Sequence, residues 1–176
     1  MGLFFDVLSS INNPNQQGSV EQLSGIMSAI QQLSASNGIQ PSTMQTAVSA
    51  LGGVLGPALK QQQMVTGGVG LDSLIAQFTG GSNPGLGALS ALLTPNLQQQ
   101  LIQTVAQKSG ISSSMIQQML PVLIPAVMGL LGMGRSKPGA TAKNNLLEGL
   151  LNPQQSGGAD LGEVIKFAGR FLHPAR

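Results

Sequence analysis

The chain has no cysteine, tryptophan or tyrosine, and only 8% of its residues are charged. Without cysteine there are no disulfides, no zinc ribbon and no thiol catalysis, while the redox compartment stays open. Eight Lys and Arg stand against six Asp and Glu, a net charge of +2. With so few cations, a broad phosphate-binding face is disfavoured and no nucleic-acid partner is expected. Long apolar runs are also scarce. The longest uncharged apolar one, 119–134, spans 16 residues and carries Pro121 and Pro125, short of the roughly 20 residues a bilayer requires. It reads as a core helix surrounded by others, with insertion into a membrane as the alternative. Missing Trp and Tyr anchors count against the alternative.

The start, Met1-Gly2-Leu3-Phe4-Phe5-Asp6, has no cation before its apolar residues and meets an acid at once. It does not read as a secretory signal, so cytoplasmic residence is expected, with attachment to a membrane surface as the alternative. Asp6 also stands where a myristoylation signal needs Ser or Thr.

What is abundant is uncharged: 41% hydrophobic residues and 20 glutamines in 176 positions. That length holds one ordinary core or two very small ones. An internal repeat favours a two-part plan. At an offset of 72 residues, 28–44 lies over 100–116, with Gly38 on Gly110 and Ile39 on Ile111. Beyond each glycine the apolar residues follow helical spacing: Met44, Ala47, Val48, Leu51, Leu55, Ala58 and Leu59, then Ile116, Met119, Leu120, Leu123, Val127, Leu130 and Leu131. Each half therefore reads as helix, turn, helix. Gly38 and Gly110 sit where a helix end wants positive φ, Pro41 fits a first helical position, and Ser112 fits an N-cap. Pro121 and Pro125 predict a kink or a break in the second long helix, and Pro57 the same in the first half.

A smaller motif recurs in which an apolar turn precedes Asn-Pro, at 7–17 and 146–155, with a looser copy at 74–84. These read as short helices stopped by turns. Linkers fall at 61–70, 80–87 and 132–143, where Gly, Pro and small residues gather. A last helix over 160–172 puts Leu161, Val164, Ile165, Ala168, Phe171 and Leu172 on one face and Glu163, Lys166 and Arg170 on the other. The expected fold is all-α: two tandem helix-turn-helix-like halves, 1–80 and 81–134, packed as a small bundle. Residues 135–176 add a linker, a short helix and the C-terminal amphipathic helix.

Residues 106–131, with Gly110-Ile111 leading into Leu120-Pro121-Val122-Leu123-Ile124-Pro125-Ala126-Val127-Met128-Gly129, resemble the YidB-like family of bacterial proteins of unknown function. The Phe-Asp-x-Leu start, the Asn-Pro-Asn-Gln-Gln turn and the Arg-Phe-Leu ending are similar to cyanobacterial members in particular. The resemblance implies an all-helical fold and a bacterial source. It assigns no activity and no site residues.

Several motifs approach chemistry and stop short. The Ala106–Gly110–Ile111–Ile116 spacing is that of a DNA-binding helix-turn-helix. Its second helix, however, offers Ser113, Ser114, Gln117 and Gln118 where Arg, Lys or Asn would read bases. Asn152, Gln154, Ser156, Asp160 and Glu163 occupy the oxygen positions of a calcium loop, as Asp-rich stretches do in family members with similar endings. Two charges among five ligands hold calcium poorly, so no metal is expected there. Gly129-x4-Gly134-Arg135-Ser136 imitates a phosphate loop without its lysine or its preceding strand. His173 stands alone in the tail, and the six carboxylates are scattered. No catalytic residue, cofactor or small-molecule substrate is expected. The reading is a non-catalytic, self-associating interaction or scaffold protein whose partner is itself or another protein. The alternative is a peripheral membrane protein using 119–133 or the 2–8 end, and DNA binding ranks below both.

Overall fold

The computed structural model describes residues 3–16, 18–79, 93–135, 145–151 and 161–172. Within them the chain is all-α, with seven helices and no β-strand. These are α1 (Leu3–Asn12), α2 (Val20–Ser36), α3 (Pro41–Thr79), α4 (Pro95–Ser109), α5 (Ser113–Gly132), α6 (Asn145–Leu151) and α7 (Leu161–Leu172).

Local chemistry sets the boundaries. The Ser19 hydroxyl accepts from the Gln22 N–H at 3.2 Å to start α2, and the Thr94 hydroxyl accepts from the Leu97 N–H at 3.3 Å to start α4. Caps of this kind contribute about 1 kcal/mol each. Helix α1 ends in the first Asn-Pro motif: the Asn13 side chain accepts from the Asn15 N–H at 3.0 Å, and the Gln16 N–H donates to the Asn13 carbonyl at 3.1 Å. Gln16 is then buried, and its Nε2 donates to the Gly134 carbonyl at 3.2 Å, tying the turn to the end of α5. The Asn-Pro pairs at 152–153 and 83–84 lie outside the described residues.

The two glycine turns form where the sequence puts them, with Gly38 at φ 63° and Gly110 at φ 74°. They close differently. After α2 the Ile39 N–H reaches back to the Ser34 carbonyl and the Gly38 N–H to the Ala35 carbonyl, a Schellman pair. After α4 a single bond runs from the Gly110 N–H to the Ala106 carbonyl, and the Ile111 N–H turns to the Ser109 hydroxyl. Pro41 opens α3 as expected. Ser112 occupies the cap position of α5, but its side chain makes no capping bond.

One expectation about helix continuity is corrected, and of the kink or break expected in α5 the break does not occur. The linker placed at 61–70 is helical up to a kink at Gly67, whose φ of 76° and ψ of 168° turn the chain before the helix resumes through Thr79. Gln61, Gln62 and Gln63 are good helix formers, and only the glycines interrupt. Nor does α5 break into two pieces at its prolines; it runs unbroken from Ser113 to Gly132. Gln117, Pro121 and Val122 are exposed and Pro125 and Gly129 half-buried, so the prolines share the one strip of α5 that faces water. The carbonyls they leave without helical donors, at 117 and 121, belong to exposed residues and not to the core.

A single apolar cluster contains residues of every helix named. Helix α3 packs on α4, α5 and α7, whereas α2 packs chiefly on α5 and secondarily on α7 and α3. Thus the helix before each glycine turn leans on the helix after the other turn: α2 on α5, α4 on α3. Leu23, Met27 and Ile30 of α2 meet Val127 and Leu130 of α5 and Val164 and Ile165 of α7. Helix α1 lies across α6 and α7. Of the helical-spacing positions read from the two halves, only Ala58 is half-buried; the rest are core.

Candidate functional site

Leucine, isoleucine, valine, methionine and alanine dominate the described core, and Phe4, Phe5, Phe167 and Phe171 are not among its buried residues. Four of the five converge elsewhere. On α1, Val7 and Ser10 point inward, Ser10 donating to the Asp6 carbonyl at 2.8 Å. That register leaves Phe4 at the edge of the buried stripe and Phe5 beyond it. On α7, Leu161, Val164, Ile165 and Ala168 fill the inward face. Phe167 and Phe171, one turn apart, lie along its border next to α1. The Phe4 ring centroid is 5.4 Å from that of Phe167, 6.5 Å from that of Phe171 and 6.2 Å from that of Phe5. These are the separations of interacting aromatic pairs. The rings remain open to water: Phe5 is 58% exposed, Phe171 48% and Phe167 38%.

Here the sequence reading is corrected. Phe171 was assigned to the inward stripe of the last helix, but it stands on the border, and only Leu172 beside it is half-buried. Glu163, Lys166 and Arg170 are exposed, as their spacing requires. Asp6, next to Phe5, is half-buried, and burial holds its carboxyl above the ordinary value of 3.8. The aromatic face was not found by sequence reasoning, because α1 and α7 lie at opposite ends of the chain. The signal available was economy: four of five aromatic residues occupy two helices whose inward positions are already filled by Val and Leu.

Two grooves flank the bundle. One of about 510 Å³ runs between α2, the start of α3 and α7, with Met27, Ile30, Ile39, Met44 and Ile165 along it. The other, of about 640 Å³, lies between α3 and the start of α4 and is lined by Pro57, Gln61, Gln62, Asn96, Leu97 and Gln100. Among the described residues, Lys166 is the one titratable residue lining either. Among the described residues no three His, Cys, Asp or Glu side chains gather in a way that could hold a metal ion.

The other positions singled out from sequence are dispersed. Asn152, Gln154, Ser156 and Asp160 of the calcium-like stretch lie outside the described residues, as does His173, while Glu163 is exposed in the first turn of α7. Ser113, Ser114, Gln117 and Gln118 are exposed at the start of α5. Helix α5 as a whole, Ser113–Gly132, is long and apolar enough to cross a membrane by length and composition, since its uncharged first turns extend the run at 119–134. In this fold its leucines and isoleucines, Val127, Met119 and Met128 are core, while Met115 is half-buried and Val122 exposed.

Residues 67–133 match the family described as bacterial protein of unknown function, DUF937. The match runs from the kink glycine of α3 to the residue after α5, and the YidB-like resemblance drawn from 106–131 lies inside it and is consistent with it. No curated protein and no solved structure matches the chain.

Proposed function

We propose that this chain is a non-catalytic helical interaction protein that associates with further copies of itself in the cytoplasm. The observation that carries the reading is the neutrality of the middle of the chain. From Gln22 to Gly134 the only charged residues are Lys60, Asp72 and Lys108. Apolar side chains stand out from this neutral surface, Met64 at 76%, Val65 at 77% and Val122 at 40% exposure. Such a surface presents little repulsion to a second copy. Light scattering over a concentration range in detergent-free buffer tests this. A discrete or growing assembly supports the reading, and a monomer at every concentration overturns it.

Attachment to a membrane surface is the second reading, and exposed Phe5 beside α7 favours it. Of the two regions considered for it, most of 119–133 is buried, with Pro121 and Val122 exposed, and the N-terminal end carries exposed Phe5. Failure to float with liposomes at low salt removes it. DNA binding ranks last, since the exposed start of α5 offers serines and glutamines without a cation.

A further inference from the structure

We propose that the groove between α2, the start of α3 and α7 binds a free fatty carboxylate of medium chain length, its alkyl chain along the groove and its head at Lys166. The inference goes beyond self-association and does not depend on it. Its first support is a gap in α7. Gly169 lines the groove, and a β-carbon there would meet only Met27 Cε, at the ordinary contact distance of 3.5 Å. Close packing does not demand glycine at this position, and glycine inside a helix costs stability; what its missing side chain leaves is open space between α7 and α2. The floor beneath is apolar and firmly held: Met27, Ile30, Met44 and Ile165 are each no more than 6% exposed. Two of these four are methionines, whose unbranched thioethers adapt to an alkyl chain.

Size and charge select the occupant. At about 510 Å³ the groove falls in the range of small-molecule clefts. The stretch of α2 along it, from Met27 to Ala35, is about 12 Å long at 1.5 Å per residue, the length of a zigzag of about ten carbons. Among the described residues Lys166 is the one titratable group on the groove, and it is exposed and forms no ion pair. The neighbouring charges stand elsewhere. Arg170 and Glu163 lie about 40° and 60° further round α7 from Lys166, on the side away from Gly169, and offset each other. Glu21 stands about 9 Å before Met27 along α2, and Asp6 belongs to α1, on the Phe167 side of α7. One cation at the edge of an apolar floor matches one negative charge on one alkyl chain.

The experiment titrates the full chain with decanoate below its micelle concentration, read by calorimetry and by the methyl NMR signals of the methionines. Met27 and Met44 are expected to shift, while exposed Met64 and core Met128 stay. Decyltrimethylammonium, the same chain on a cation, is expected to bind at least five-fold more weakly. Lys166→Gln is expected to weaken decanoate about two- to five-fold, the size of an exposed ion pair, and to leave decanol unchanged. Gly169→Leu fills the gap and is expected to abolish binding, with circular dichroism checking its fold; Lys166→Gln, at an exposed position, carries the test if that variant does not fold. Absence of decanoate binding overturns the proposal, as does a shift of Met64 equal to that of Met27, which is surface adsorption. Equal affinity for decanoate and decyltrimethylammonium overturns the head-group assignment. If Gly169→Leu weakens self-association and leaves decanoate binding intact, the proposal is overturned and the groove belongs to a second copy.

Discussion

Gly52 of α3 lies against Leu161, the first residue of α7, so closely that a β-carbon at position 52 would sit 3.0 Å from Leu161 Cγ. Gly53, the next residue, faces open space, with nothing within 4 Å of such a carbon. Alanine is therefore expected to act oppositely at the two positions. Gly52→Ala pushes α7 outward at a cost of about 1–3 kcal/mol, whereas Gly53→Ala stabilises by about 0.5–1 kcal/mol through helix propensity. Urea unfolding of the two variants measures both signs.

The kink in α3 makes a second prediction. Gly67 combines φ 76° with ψ 168°, a region that only glycine enters cheaply, other residues costing about 1–3 kcal/mol. Gly67→Ala either bears that strain or straightens α3 and draws buried Ile75 out of the core. Both lower the unfolding midpoint, and the second also raises hydrogen exchange over 68–79.

Asp6 ties stability to pH. Burial raises its carboxyl above 3.8, so between that value and the raised one the folded chain holds more proton than the unfolded chain. Stability then falls as pH rises through that window, and the penalty persists at neutral pH. Asp6→Asn is expected to flatten the stability profile from pH 3.8 upward. Denaturant titrations at several pH values check this, and a slope unchanged in the variant contradicts it.

The prolines of α5 provide a contrast with its core. Pro121 is exposed while Leu123 is 1% exposed. Leu123→Ala is expected to cost about 2–5 kcal/mol, the transfer and cavity terms together. Pro121→Ala restores a helical donor on the wet strip and stabilises by up to about 3 kcal/mol. Thermal unfolding of the pair compares them.

Much of the architecture was legible because it is local. Gly38, Gly110 and Pro41 act through their own backbone angles, and Met44 through Leu59 and Ile116 through Leu131 are set by helical period. The misreadings share one physical origin. Proline signals a kink or a break, and no break follows at Pro121 and Pro125, which the tertiary fold places on the wetter strip of α5. Phe171 was read as core because a helical period fixes its angle but not how wide a stripe α1 leaves covered. The meeting of Phe4 with Phe167 depends on where two distant helices dock, which no window of sequence contains.

The exchange of partners between α2 and α5, and between α4 and α3, governs how the chain can come into being. Neither helix pair completes itself: α2 finds its main neighbour only when residues up to 132 exist. Until α5 is complete, Leu23, Met27 and Ile30 of α2 have only α3 to pack on. Two nascent chains emerging side by side could satisfy that need reciprocally, each lending its α5 to the other. Partners this far apart in the chain are the wiring that domain swapping exploits.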